Sequence, residues 1–204
     1  MRITQLSIAD AWVCLPDVHG DDRGAFLEWF RADRLAEVTG RRFDVVQANH
    51  SLSDRGVIRG IHFADVPPGQ SKIIYCVQGE ALDVIVDVRV GSPTFGKSEV
   101  VELTEAQRRV VVLGEGLGHG FCALQDRTSL AYLVSTTYRP EAEHTVSPLD
   151  PELALSWPLT RSEMVFSARD EAAPSLAQAQ AAGLLPDYEA CRSWYAECAV
   201  GSGA

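Results

Sequence analysis

Short runs of alternating apolar and polar residues, each closed by a turn cluster, follow one another from the N-terminus to about Tyr138. The clearest is Leu82-Asp83-Val84-Ile85-Val86-Asp87-Val88-Arg89. Leu82, Val84, Val86 and Val88 share one face, and Asp83, Asp87 and Arg89 share the other with Ile85. The pattern predicts strands over 43–50, 57–63, 71–76, 82–89, 98–103, 108–113 and 129–138. Their separators are turn formers: Ser53-Asp54-Arg55-Gly56, Pro67-Pro68-Gly69, Gln78-Gly79-Glu80, Gly91-Ser92-Pro93 and Gly114-Glu115-Gly116. Residues 1–16 read as a strand and turn closed by Pro16, and Asp21-Asp22-Arg23-Gly24 as a turn into a strand over 25–30. Evenly spaced short strands point to an antiparallel sandwich or barrel. The acidic residues on the charged face of the 82–89 strand either contact a ligand or are solvated, and solvation is the expectation. Helical patterns occupy 32–38, stopped by Gly40, and, after Pro158, 176–182 and 188–199. The last two are expected to cap the outside of the barrel, and Gly201-Ser202-Gly203-Ala204 to fray.

Composition narrows the picture. A chain of 204 residues suits one domain, with a strand-rich core over about 10–160 and a helical C-terminal segment over about 161–200. The net charge of −10 argues against nucleic-acid binding, which needs a basic face. Five widely spaced cysteines without a CxxC pattern predict free thiols in a reducing cytosol rather than a zinc site or a disulfide framework. The N-terminus carries no signal-peptide h-region and no apolar run is long enough to span a membrane, so a cytoplasmic protein is expected.

The candidate chemistry centres on Arg59-Gly60-Ile61-His62-Phe63 and Lys72. Imidazole moves protons near neutral pH, while arginine and lysine attract anions. Such a set could bind an anionic substrate, deprotonate it and stabilise the resulting charge. A lone strand histidine is more often structural, so the rest of the chain must decide.

Four blocks, in order, resemble the dTDP-4-dehydrorhamnose 3,5-epimerase family of cupin-like jelly rolls. They are Asp22-Arg23-Gly24-Ala25-Phe26-Leu27-Glu28, Val46-Gln47-Ala48-Asn49-His50-Ser51, Arg59-Gly60-Ile61-His62-Phe63, and the run from Asp83 through Ser92-Pro93-Thr94-Phe95-Gly96. Gly118-His119-Gly120-Phe121, Tyr132, Tyr138-Arg139-Pro140, Glu143 and Ser167-Ala168-Arg169-Asp170 continue the likeness. It implies a mostly β, antiparallel double-sheet jelly roll with flanking and C-terminal helices. It also implies an enzyme, without cofactor or metal, that epimerises a dTDP-4-keto-6-deoxyhexose at C3, C5 or both. His62 matches the base, held by Asp170; Tyr132 matches the proton donor on the opposite face, and Lys72 the group beside the C4 oxygen. Arg23 and Arg59 match diphosphate contacts, and Glu28, Gln47 and Asn49 contacts to thymine or sugar hydroxyls. His119 matches a contact to a sugar oxygen, Tyr138 the thymine stack, and Glu143 a further nucleotide contact. Phe26 and Arg169 belong to the same substrate-binding set. The family's N-terminal segment can reach the neighbouring subunit's barrel, so a homodimer is expected. Retention of Tyr132 suggests inversion at C5, alone or after C3.

The chain departs from the family pattern at Ala64, Lys97-Ser98 and Phe166. These positions bear on substrate detail, and with the C-terminal helices they suggest the branch serving antibiotic deoxysugars. A metal cupin needs an HxH pair, but Ala64 stands where the second histidine would be. A 3,4-ketoisomerase on the same barrel and a non-catalytic sugar-nucleotide binder remain alternatives.

Overall fold

In the computed structural model, which describes residues 1–199, two antiparallel sheets stack face to face. The tail expected to fray lies outside the described residues. The first sheet has six strands in the order β1-β2-β10-β7-β12-β5. These are β1 (Arg2–Gln5), β2 (Ala11–Leu15), β10 (Val110–Leu113), β7 (Lys72–Gln78), β12 (Thr128–Val134) and β5 (Gln47–Ser53). The second has five in the order β13-β6-β11-β8-β9. They are β13 (Glu143–Thr145), β6 (Ile58–Ala64), β11 (Gly118–Ala123), β8 (Glu80–Val86) and β9 (Ser98–Thr104). This is the double-sheet jelly-roll arrangement that the strand spacing and the resemblance pointed to. A separate hairpin, β3 (Val18–Asp21) with β4 (Gly24–Leu27), pairs only with itself among the described residues.

The period-2 pattern explains why the sheets stack. On β7, Ile74 and Cys76 point between the sheets and meet Ile85, Leu103, Phe121 and Leu130 in one core. Ile73 and Tyr75 point outward into a second cluster with Trp12, Cys14, Val112 and Leu35 of α1 (Ala32–Thr39). A third cluster lies outside the five-stranded sheet. There Ile61, Phe63, Val84 and Val86 pack on Leu176 and Ala179 of α3 (Leu176–Ala181), so this helix covers the barrel as expected. Each fully buried aliphatic side chain contributes about 1.5–3 kcal/mol.

Three expectations need correction. The strand expected over 43–50 lies at Gln47–Ser53, and the one expected to reach Tyr138 stops at Val134. β3, β11 and β13 went unforeseen; β11 is glycine-rich and β13 only three residues long. Asp83, Asp87 and Arg89 are not solvated but fully buried, each at 0 % exposure. Arg89 donates to both Asp87 oxygens at 2.9 Å and to Asp10 Oδ2 at 2.7 Å, while Ser92 and Thr94 hydroxyls cover Asp87 Oδ2 at 2.6 Å each. Buried charges survive only when paired and hydrogen-bonded in this way. The C-terminal helix α4 (Tyr188–Glu197) closes over this network, laying Tyr188 5.0 Å from the Arg89 guanidinium. Its Tyr195 hydroxyl donates to the Glu115 carbonyl, and the ring lies 3.8 Å from the Arg41 guanidinium.

Candidate active site

The site begins with a close approach of two strands. Gly60 of β6 has φ +116°, and a Cβ there would lie 2.6 Å from both the Gly120 Cα and the His119 carbonyl oxygen of β11. Gly120 is as constrained, since its Cβ would lie 2.8 Å from the Arg59 carbonyl. No other residue type fits this contact without displacing backbone. The register shifts beside it, and His62 lands directly opposite His119. Two imidazoles from adjacent strands therefore share one face of the five-stranded sheet. His119 is also the register partner of Ile85, which lies in the core between the sheets, so that face points inward.

Asp170 reaches His62 from the other end of the chain. It sits in α2 (Ala168–Glu171), a single turn whose N-cap Ser167 accepts from the Asp170 N–H at 3.1 Å. Ser167 Oγ donates to Asp170 Oδ2 at 2.9 Å, and His62 Nε2 donates to Asp170 Oδ1 at 2.7 Å. Burial alone would raise the Asp170 pKa, but the hydrogen bond and charge of His62, with Ser167 and Gly60, bring it below the ordinary carboxylate value. An ionised Asp170 accepting from Nε2 fixes the tautomer of His62 and leaves Nδ1 as its free nitrogen. Burial lowers the His62 pKa, and Lys72 adds to the effect, outweighing the opposite pull of Asp170. His62 is thus neutral at neutral pH, the state a base requires.

The facing sheet supplies a cation and a phenol. Lys72 alternates with Ile74 and Cys76 on the inward side of β7 and is only 9 % exposed. Burial lowers its pKa, against the attraction of Glu143 and then Asp83. Tyr132 of β12 packs against the inter-sheet core and stands directly across from Asn49 of β5. Its pKa is raised by burial and by Glu143, while Arg59 opposes the rise, so the phenol keeps its proton at neutral pH. Gln47 Nε2 donates to Asn49 Oδ1 at 2.6 Å, and Gln47 Oε1 accepts from the Tyr138 N–H at 3.2 Å. Arg59 Nε donates to Ser53 Oγ at 3.2 Å, and Arg169 to the Glu143 carbonyl at 2.8 Å. The inner faces and α2 thus bring together two histidines, the carboxylates of Asp170, Asp83 and Glu143, a lysine and a tyrosine, with arginines at the rim.

The model of the dTDP-4-dehydrorhamnose 3,5-epimerase family matches residues 5–178. The chain belongs to this family. It is 49% identical over 194 residues to a dTDP-4-dehydrorhamnose 3,5-epimerase of Mycolicibacterium smegmatis, covering 95% of both chains. A solved 4-keto-6-deoxy sugar epimerase from the novobiocin biosynthetic gene cluster of Streptomyces spheroides is 52% identical, with TM-score 0.91 over 94% of this chain and 95% of that one. A 3'-monoepimerase of Streptomyces bikiniensis in complex with dTDP-quinovose is 46% identical, with TM-score 0.91 over 95% of this chain and 97% of that one. That monoepimerase has also been solved as a histidine-to-asparagine, tyrosine-to-phenylalanine double mutant with dTDP. Its two altered positions are as far apart in sequence as His62 and Tyr132.

Not all residues matched to the family's substrate-binding set gather at this site. Arg23, Phe26 and Glu28 lie on or just after the β3–β4 hairpin, and among the described residues their polar contacts are local. The Arg23 side chain is 90% exposed and pairs with Asp21, while Glu28 pairs with Arg31 at 3.3 Å. Phe26 is 66% exposed. One inward residue went unrecognised in the sequence. Asp83 accepts from His119 Nε2 at 2.7 Å, and the signal was Ile85, an apolar residue on the same strand face. Among the described residues, no group of three or more His, Cys, Asp or Glu side chains is placed to hold a metal ion.

Proposed function

We propose that the protein epimerises a dTDP-4-keto-6-deoxyhexose without a cofactor, in the manner its family name describes. The observation that carries this reading is the pairing of a neutral, Asp170-held His62 on one sheet with a protonated Tyr132 on the other. A base and an acid on opposite walls of one cavity suit inversion at a carbon between them. His62 Nδ1 takes the proton from the carbon next to the C4 ketone, and the C–H electron pair moves onto the ketone oxygen as an enolate. The Lys72 ammonium stabilises that charge in a dry site, where one such group is worth several kcal/mol. Tyr132 then delivers its proton to the other face of the same carbon. The phenolate regains a proton from solvent and His62 releases the one it took.

Arg59 and Arg169, at the rim, suit the diphosphate, and Tyr138, 54% exposed, suits a stack on thymine. The hairpin carrying Arg23 and Phe26, with Glu28 just after it, pairs with no other strand among the described residues, which supports a homodimer in which it completes the neighbouring site. Five free thiols fit a reducing, cytoplasmic setting, and no described helix is long and apolar enough to cross a membrane. Relatives include both a 3,5-epimerase and a 3'-monoepimerase, the latter with tyrosine among its mutated positions. Tyr132 therefore does not by itself fix whether C5 is inverted.

The test is deuterium wash-in. Incubating dTDP-4-keto-6-deoxyglucose with the protein in heavy water is expected to label C3, C5 or both, with product NMR giving the stereochemistry. A ligand that binds but gains no label at either carbon would leave only a sugar-nucleotide binder.

A further inference from the structure

The inward face of the five-stranded sheet holds a second histidine–carboxylate pair. His119, directly opposite His62 on the neighbouring strand, donates from Nε2 to Asp83 Oδ2 at 2.7 Å. This repeats the His62–Asp170 arrangement, in which Nε2 is also the bonded nitrogen at 2.7 Å. Asp83 differs from Asp170 in its surroundings. It is fully buried, and its Oδ1 has no hydrogen-bond partner among the described residues. An unsatisfied buried carboxylate oxygen costs about 1–3 kcal/mol or more, so stability alone does not account for a charge here. An apolar residue beside Ile85 and Phe121 would pack without that cost. Asp83, on the Ile85 side of β8, and Lys72, on the Ile74 side of β7, both point between the sheets, and the carboxylate attracts the ammonium there.

We propose that Asp83 is a positioning residue for the reaction: it holds His119 with Nδ1 free to accept a hydrogen bond from a hexose hydroxyl, and it helps keep the Lys72 ammonium charged inside the barrel. This rests on the epimerase reading above. The hydrogen bond to Oδ2 requires a proton on Nε2, so the free nitrogen of a neutral His119 is an acceptor. A hydroxyl next to the reacting ketone is a donor of the matching kind. Lys72 is faced by Glu143 from β13, Asp83 from β8 and His62 from β6. Glu143 exerts the stronger attraction and Asp83 the next, so removing Asp83 weakens the hold on the charge without abolishing it.

Asp83→Asn in the full chain tests this through deuterium exchange at C3 and C5 of dTDP-4-keto-6-deoxyglucose. The expected result is a fall in kcat of about 10- to 100-fold, the usual scale for removing a group that orients a ligating or reacting one. The alkaline limb of the pH–rate profile should also move to lower pH, as Lys72 loses its proton earlier. A purely structural role would lower the folded fraction and leave that limb in place. Wild-type kcat with an unmoved profile, or a loss of kcat that follows unfolding alone, would overturn the proposal. If the variant does not fold, nitrogen-15 NMR of the wild-type protein decides through the His119 ring. An Nε2-protonated, Nδ1-free tautomer is expected, and an Nδ1-protonated one overturns the assignment. Failure of the wild-type protein to exchange either hydrogen would instead count against the epimerase reading, which the tautomer measurement does not touch.

Discussion

His62 and Asp170, 108 residues apart in the chain, meet at 2.7 Å because a one-turn helix packs against the strand that carries the histidine. The contact defines which imidazole nitrogen is free. Replacing Asp170 by Asn removes the charge and permits the other tautomer. Exchange of the substrate's C3 and C5 hydrogens is expected to slow by roughly 100- to 10,000-fold, the range general-base catalysis supplies. His62→Ala should abolish exchange. Near wild-type exchange in His62→Ala, measured by mass spectrometry in heavy water, would remove His62 from the role of base, and in Asp170→Asn it would remove Asp170 as its orienting partner.

Lys72→Ala removes the only cation aligned with the inward face of β7 among the described residues. Loss of one preorganised charge-stabilising group costs about 2.7–4 kcal/mol, so kcat should drop roughly 100- to 1,000-fold. Affinity for dTDP, measured by calorimetry, should change little, because the arginines at the rim are left in place. A large loss of dTDP affinity with kcat intact would make Lys72 a nucleotide contact instead.

The pH dependence follows from three directions. His62 acts when neutral, and burial with Lys72 nearby puts its pKa below the ordinary 6.5, so activity should rise through an acid limb below that value and be flat at neutrality. Lys72 acts when charged, and burial puts its pKa below the ordinary 10.5, so the alkaline limb should begin earlier than for a free lysine. Burial shifts Tyr132 the other way, above its ordinary 10.0. Lys72→Arg should therefore shift the alkaline limb of kcat/KM upward in whatever activity remains. An unmoved limb would assign it to another group.

Arg89 is a test of the buried network rather than of catalysis. Arg89→Met leaves Asp87 and Asp10 without their main partner, and breaking a buried pair in this way costs about 3–5 kcal/mol. Urea denaturation should show that loss as a lower midpoint at similar slope. An unchanged midpoint would mean that the network relaxes around the smaller side chain.

The exposed hairpin predicts shared sites. If Arg23 serves the neighbouring barrel, mixing Arg23→Ala with His62→Ala subunits should restore about a quarter of wild-type site activity, since half of randomly mixed twofold dimers carry one intact site. Light scattering should give a dimer mass for each variant. Additive, uncomplemented activity would confine Arg23 to its own chain.

How far the sequence carried depended on the range of each interaction. Glu80–Val86, with its period-2 alternation, and Lys72–Gln78, a short continuous apolar run, were legible because both signals act over a few neighbouring residues. Gly118–Ala123 was hidden by its glycines, whose purpose shows only when β6 lies against them. Asp83, Asp87 and Arg89 looked like a wet face because charge is a local signal, while the partners Asp10 and His119 come from elsewhere in the chain. The His62–Asp170 contact came from the family resemblance, since no periodicity links a strand to a four-residue helix.

The stacking of two sheets has a consequence for what the cavity accepts. Packed sheets lie about 10 Å apart, and here His62 rides on one and Tyr132 on the other. That separation is maintained by Ile74 and Leu130 meeting Ile85 and Phe121, none of which needs to touch a ligand. The hydrocarbon interior thus acts as a spacer that sets the thickness of the ring admitted between the two walls. On the proposed reading, the room for one sugar ring is set by these apolar residues as much as by the polar ones beside them.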